Sequence, residues 1–231
     1  MNMWPFRQKK TLAESGLLHG LTDWHCHLLP GVDDGVQTLD ESLALLASYE
    51  QQGIQSVWLT PHIMEDIPNT TARLKARFEE LLAAYQGPLQ LHLAAEHMLD
   101  GLFEERLREG DLLPIGDDSC SLLVETSYFN PPYGLHAILK RIQSKGYNPV
   151  LAHPERYLYM DKKEYEQLHA MRVHFQLNLP SLAGGYGKEV QRKAEWLLKQ
   201  GYYHYTGTDT HSATAWQSTL ARCNSWPTTL P

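Results

Sequence analysis

Hydrophobic and polar positions along this chain follow two alternating patterns. Short apolar, β-leaning runs occupy residues 21–23, 54–60, 89–95, 121–124, 149–152, 173–177 and 202–206. Between most of them lie longer stretches whose apolar residues keep to one side of a 3.6-residue period, which predicts helices. The first helix opens at Thr38, where Glu41 three residues on makes a capping box. Leu43, Leu45, Leu46 and Tyr49 supply its apolar side, and Gly53 ends it. Further helices are predicted over 70–85, 101–109, 133–145, 162–171 and 188–200. Strand and helix thus alternate through seven units, the pattern of a parallel sheet with right-handed crossovers. Seven such units predict a closed barrel, with an open doubly wound sheet as the alternative. The segment Gly184-Gly185-Tyr186-Gly187 precedes a helix but lacks both the G-x-G-x-x-G spacing and a Walker Lys-Ser/Thr, so no phosphate loop favours the open form. Residues 1–20 read as an irregular arm in which Trp4 and Phe6 are candidates to pack on the body. Residues 21–211 read as the barrel, and 212–231 as a tail with room for one more short helix.

Composition narrows the function more than the fold. The chain has 231 residues, 42% hydrophobic and 20% charged, with a formal net charge of -7. That is ordinary for a soluble globular protein and ample for a packed core. No basic run or aromatic platform points to nucleic acid. Residues 1–10 lack the apolar segment of a secretory signal, and no run approaches the ~18 apolar residues of a membrane span. Cys26, Cys120 and Cys223 lie far apart; they suggest no disulfide framework and fit a reducing cytoplasm. A cytoplasmic protein that is not itself a membrane protein is expected.

The chemistry gathers at the ends of the predicted strands. His25 and His27 are two apart, so on an extended chain both imidazoles face one side and can reach one cation. An acidic, turn-rich loop containing Asp33 and Asp34 follows at once. His62, Glu96, Glu125, His153, Asp209 and His211 stand at later strand ends. Acids and histidines favour loops in any protein, so one such residue carries little weight. Recurrence after six of seven strands points to convergence at the C-terminal mouth of a barrel. Five histidines and four carboxylates exceed the needs of one tetrahedral zinc and suit two or three divalent cations. Paired cations suit phosphate-ester hydrolysis, because they bind phosphoryl oxygens and acidify water to supply hydroxide at neutral pH.

Arg156, three residues after His153, is a candidate phosphate clamp; a surface pair with Glu155 or Asp161 is the plainer reading. Tyr128, Phe129, Tyr133, Tyr157 and Tyr159 fall in the loops after the fourth and fifth strands, as pocket walls or as packing. His19, His92, His97, His136, His169, His174 and His204 have no strand-end placement of this kind and read as structural. A cysteine-based phosphatase needs arginine six residues after its thiolate; Val32 and Thr126 stand there after Cys26 and Cys120, and no arginine follows Cys223.

Taken in order, the motifs resemble a known family. Asp23-x-His25-x-His27, Val32-Asp33-Asp34-Gly35, Thr60-Pro61-His62, Glu96, Glu125, His153-Pro154-Glu155-Arg156 and Thr208-Asp209-x-His211 are similar to those of the bacterial polymerase-and-histidinol-phosphatase (PHP) superfamily. Within it they most resemble the metal-dependent protein-tyrosine phosphatases of capsule and exopolysaccharide clusters. The resemblance implies a distorted (β/α)7 TIM-like barrel of the PHP fold with a trinuclear centre. Manganese is the usual activator, and iron, zinc or cobalt would suit the donors. It implies hydrolysis of phosphotyrosine on the tail of a membrane-associated tyrosine kinase that controls polysaccharide export. By motif, His25, His27, Glu96 and Asp209 would serve one metal. Glu125 and His153 would join Glu96 at a second, and Asp34, His62 and His211 would serve a third. Arg156 would bind phosphate, with His62 and Asp209 beside it in catalysis. One departure stands out: the family often carries a second arginine shortly after its last metal histidine, and here the nearest is Arg222. A small-molecule phosphatase of the histidinol-phosphate kind, or a non-catalytic binder of a phosphorylated kinase tail, are the competing functions.

Overall fold

The structure, a computed structural model, describes residues 9–231. Trp4 and Phe6 lie outside the described residues. In chain order the elements begin with β1 (Lys10–Thr11), α1 (Leu12–Ser15), β2 (Thr22–Cys26), α2 (Leu39–Gln51), β3 (Ser56–Leu59), β4 (His62–Ile63) and α3 (Thr71–Ala84). Next come β5 (Gln90–Leu93), β6 (Glu96–Met98), α4 (Gly101–Glu109), β7 (Ser121–Glu125), α5 (Leu135–Ser144) and β8 (Asn148–Ala152). After a 3-10 turn at Pro154–Arg156 follow α6 (Lys162–Ala170), β9 (His174–Asn178), α7 (Leu179–Leu182), α8 (Lys188–Gln200), β10 (Tyr203–Gly207), α9 (Ala213–Leu220) and β11 (Cys223–Asn224).

The capping box at Thr38 forms as the sequence predicts, with Glu41 N–H donating to Thr38 Oγ1 and the Thr38 N–H to the Glu41 carboxylate. Pairing between strands outside the terminal ribbon is parallel, with isolated antiparallel bridges at Met64–Ile67 and Ile115–Ser121. It gives a six-stranded sheet, β10-β9-β8-β7-β6-β4, and a three-stranded sheet, β2-β3-β5. The fold is therefore α/β with parallel sheets, and among the described residues the strands do not form the single closed ladder expected of a barrel. The interruption has a local cause. Two predicted strands are each followed by a further short strand: 54–60 holds β3, separated from β4 by Thr60-Pro61, and 89–95 holds β5, separated from β6 by Ala94-Ala95. Proline has no N–H to give to a ladder. Single bonds carry the contact across the break, from Ala94 N to Leu59 O at 2.9 Å and from Glu96 N to Pro61 O at 3.1 Å. On the far side β2 meets β10 through a parallel bridge between Cys26 and Thr210, with Asp209 N bonded to His25 O at 2.7 Å.

β3 and β7 are buried on both faces, and β8 nearly so, as central parallel strands require. Neighbouring residues divide between two cores. Leu122 and Val124 join the larger core under the helices, while Leu123 joins Trp58, Ala94, Ile115, Val150 and Ala152 in a smaller inner cluster. Trp24 stacks on Trp58 at 5.5 Å there and meets Tyr205 edge-on at 5.0 Å. The register of β2 against β3 shifts between Asp23 and Cys26. That irregularity lets Trp24 fill the interior while His25 and His27 both reach the strand ends.

The two termini are tied together. β1 pairs antiparallel with β11, and the Trp226 indole donates to Lys10 O at 2.9 Å. Trp216 on α9 is fully buried against Tyr49, its indole donating to Ser48 Oγ at 2.8 Å. Trp216→Ala removes that plug, and we expect a loss of about 3–5 kcal/mol of stability, read from chemical denaturation.

Candidate metal centre

The strand ends bring all nine sequence-selected donors into one cluster. Glu96, at the start of β6, lies in the middle and is 1% exposed. Its Oε2 faces His25 Nε2 at 3.1 Å, His62 Nδ1 at 3.2 Å and His27 Nε2 at 3.4 Å, while Oε1 bonds His153 Nε2 at 3.0 Å. Glu125 Oε1, at the end of β7, lies 3.1 Å from His62 Nδ1. Asp209 Oδ1 lies 3.5 Å from the nearest ring nitrogen of each of His25, His27 and His211. Asp34 Oδ1 lies 3.5 Å from both His62 and His211 at the solvent side.

The donors fall into four overlapping groups, any of which has the compactness to hold a cation. These are His27, Asp34, His62 and His211; His25, His27 and Asp209; His25, Glu96 and His153; and His62, Glu96 and Glu125. Residues shared between groups suit cations that share ligands. The residues fit metal for a further reason. His62 Nδ1, Glu96 Oε2 and Glu125 Oε1 are buried with no hydrogen-bond partner, and His25 Nε2 faces His27 Nε2 at 3.1 Å. Buried polar atoms without partners are costly, and lone pairs turned toward one point are what a cation uses. Mixed imidazole and carboxylate donors suit several first-row divalent metals.

Charge sets the proton balance of the cluster. Burial lowers the His25 pKa, but Glu96 and Asp209 overcome this and push it to about 9. Burial likewise opposes a charged His62, yet Glu96 and Glu125 push it to about 10. Burial raises the carboxyl pKa of Glu96, and His25 and His62 more than reverse it, leaving Glu96 well below its ordinary range. The His211 hydrogen bond leads in lowering Asp34 to about 2. A cation bound at these groups would displace protons from His25 and His62.

A second layer aims these groups, and sequence reasoning missed most of it. His25 Nδ1 bonds Gln176 Oε1 at 2.8 Å. His27 Nδ1 bonds the buried Asp33 carboxylate at 2.8 Å, and the same carboxylate accepts the His62 N–H at 3.0 Å. Asp33 stands next to Asp34, and the sequence alone does not say which of the two faces outward. Asp23, fully buried, accepts from the Thr208 N–H and hydroxyl at 2.8 and 2.7 Å, tying β2 to the loop that carries Asp209. A Cβ on Gly207 would stand 2.4 Å from His25 Cβ, so only glycine lets β10 approach this closely. His153 (φ 34°) and Asp209 (φ 54°) take left-handed backbone, strain of the kind that collects at functional sites.

Arg156 reaches the cluster, its Nη1 donating to Asp209 Oδ2 at 2.6 Å rather than to Glu155 or Asp161. Tyr128 and Tyr186 lie against its guanidinium, with ring centroids 4.4 and 4.2 Å away. Tyr186 comes from the glycine-flanked segment that the motif search set aside. Asn178, at the end of β9, donates to Asp209 Oδ2 at 2.9 Å. The remaining histidines serve packing or pairing where contacts are seen. His92 stacks on Trp58, His169 on Tyr202 and His174 on His204, while His136 pairs with Glu164. His97 is buried under Phe103, and burial pulls its pKa to about 4. Cys26 is fully buried, and burial pushes its thiol well above the usual range, away from thiolate chemistry.

Fold and site together define a parallel α/β protein with a cluster of nine candidate metal donors beside a clamped arginine. The family described as "Capsular polysaccharide synthesis, CpsB/CapC" matches residues 21–228, and the chain belongs to it. It is 27% identical over 203 residues to the tyrosine-protein phosphatase YwqE of Bacillus subtilis, covering 83% of this chain and 78% of that one. It is 29% identical over 205 residues to the tyrosine-protein phosphatase CpsB of Streptococcus pneumoniae, covering 83% of each. A solved structure from work on YwqE and CpsB, described as unique metal-dependent tyrosine phosphatases, superposes with a TM-score of 0.76 at 27% identity. It covers 84% of this chain and 81% of that one.

Two outcomes follow from the proton balance and the second layer. His25 and His62 have folded pKa values raised above the ordinary 6.5. Their contribution to stability is therefore full below pH 6.5 and is lost as pH rises through about 9 to 10. Metal-free protein is expected to melt at falling temperature across that window, and added Mn should restore the melting point. Asp33→Asn leaves the nine donors in place but loosens His27, and is expected to weaken metal affinity about 10–100-fold by competition with a chelating dye.

Proposed function

We propose that this chain is a metal-dependent protein-tyrosine phosphatase. The observation that carries the reading is the convergence of nine imidazole and carboxylate donors around Glu96, with Arg156 held at their edge by Asp209. The named activity of YwqE and CpsB supports it. We also propose that the two sheets act as one distorted (β/α)7 barrel. The bridge between Cys26 and Thr210, the bonds across the Pro61 break and the inner cluster support this. Residues 21–211 would then be the catalytic body.

The nine donors would hold two or three cations, with manganese the first candidate. Bound cations supply Lewis acidity to phosphoryl oxygens and acidify water at neutral pH. Arg156 binds and orients the phosphoryl group through the N–H groups that Asp209 leaves free, with the Tyr128 and Tyr186 rings against its guanidinium. Asp209 anchors that edge through Oδ2 and turns Oδ1 to the histidines. His62, between Glu96 and Glu125, fixes the relative placement of two donor groups. No thiol takes part. The substrate in this reading is the phosphotyrosine tail of a membrane-associated tyrosine kinase in polysaccharide export, acted on from the cytoplasm, and the family's link to capsule synthesis supports it. No helix among the described residues is long and apolar enough to cross a membrane.

Elemental analysis of the purified protein, alongside turnover of a phosphotyrosine peptide and of histidinol phosphate with added Mn, tests the assignment. Faster release from the peptide is expected; preference for histidinol phosphate would move the reading to small-molecule hydrolysis. His62→Ala and Glu96→Ala should each abolish p-nitrophenyl phosphate turnover while the circular dichroism spectrum stays folded, and a variant with full activity would contradict the site. Chelation should stop the reaction and thiol alkylation should not.

A further inference from the structure

Beside the donor cluster, with Asp209 in its lining, lies a cavity of about 180 Å³. One wall is α9, through Ala215, Ser218 and Thr219; the other is the segment from Pro180 to Tyr186. Arg222, just past the end of α9, also lines it. Its backbone is fixed, because Arg222 O accepts the Leu12 N–H at 3.0 Å. Its guanidinium is not: Nε is buried without an acceptor, and among the described residues the side chain makes no hydrogen bond or ion pair. A half-buried cation with no partner, on the wall of an open cavity, wants an anion.

We infer that this cavity is an oxyanion subsite centred on Arg222, separate from the place where Arg156 meets the scissile phosphate. Ser218 places a hydroxyl-bearing residue in its wall, while the hydroxyls of Thr208, Thr210 and Thr219, which also line it, donate within the protein to Asp23, to Thr208 and to Ala215 O. Asp209, which also lines it, would repel an anion if its charge were free. That charge is committed to Arg156 at 2.6 Å and to three imidazoles at 3.5 Å. The volume suits a carboxylate or a phosphate and falls below the roughly 300 Å³ at which drug-sized ligands begin to fit. Tyr186 joins the two places, with its ring on Arg156 and its residue in the cavity wall. An anion at Arg222 therefore sits within reach of a substrate already held at Arg156. Two sources share this chemistry: an acidic side chain flanking the phosphotyrosine, a form that rests on the phosphatase reading, and free phosphate, which does not.

Arg222→Met keeps the stem and removes the charge, and Ser218→Leu fills the cavity from α9 without touching Arg222. Two phosphotyrosine peptides, one with Glu and one with Gln beside the phosphotyrosine, are compared with p-nitrophenyl phosphate. In a second arm, calorimetry counts inorganic phosphate bound by Mn-loaded protein. For the acidic-peptide source, the wild type should favour the Glu peptide about ten-fold through KM. Both variants should lose that preference, Arg222→Lys should keep part of it, and p-nitrophenyl phosphate turnover should be unchanged in all three. For the free-phosphate source, the wild type should bind one more phosphate than Arg222→Met. If Arg222→Met changes neither peptide preference nor phosphate count, or if it slows all three substrates equally with its melting point intact, the subsite is overturned. If the wild type turns over none of the phosphoesters with Mn, the phosphatase reading fails, and the phosphate count alone decides the subsite.

Discussion

Glu96 is the group on which the site turns. It is nearly out of water, and four imidazoles lie between 3.0 and 3.4 Å from its two oxygens. An uncompensated carboxylate at that depth would bind a proton or drive water in. Here the surrounding histidines hold it ionised, and it in turn raises His25 and His62. Charge on one side of the cluster is set by charge on the other. Positive charge from bound metal can therefore replace imidazolium protons with little change in the field the carboxylates feel.

Such mutual dependence works only if the groups cannot drift apart, and the fold meets that need with short, stiff connections. Asp23 ties β2 to Thr208, Tyr49 shares the Thr208 hydroxyl at 2.6 Å, and Asp209 N bonds back to His25 O. Burial raises the Asp23 carboxyl to about 6, so its three hydrogen bonds to the Thr208 amide and hydroxyl and the His25 amide are what keep it usefully anionic near neutrality. The strained backbone at His153 and Asp209 is tolerable because each residue is held from several sides. The site sits on strand ends and their first loop residues, where the sheets restrain it most.

What the chain discloses in advance follows the range of the physics involved. Donor positions were legible because strand periodicity is local: His25-x-His27 and the residues ending each apolar run can be placed one strand at a time. Helix bounds were legible wherever a cap marks them, as at Thr38. The partners of those donors were not, since Gln176 meets His25 across 151 residues and Asp33 meets His62 across 29. Nothing in a run such as Ile54–Thr60 says that Pro61 divides pairing between two sheets. The role of Tyr186 was hidden because three surrounding glycines invite comparison with phosphate loops, whereas the ring among them is what meets Arg156.

The clamp on Arg156 has a consequence for recognition. With tyrosine rings near its guanidinium on two sides and Nη1 engaged by Asp209, the donors left are those of the guanidinium edge. They match oxygens of a tetrahedral anion and offer little to the group attached to it. Discrimination among phosphoesters must therefore come from outside this clamp. The neighbouring loops supply material for it: Phe129 and Leu158 are 69% and 52% exposed, and Leu158 N bonds Tyr128 O at 2.9 Å, holding the two loops together. Large apolar side chains left in water beside a charged cleft are the usual mark of a surface that meets another molecule. On the phosphatase reading, the deep part of the site would take the anion that all phosphoesters share, and the rim would be where an aromatic leaving group on a protein chain is told from a small polar one.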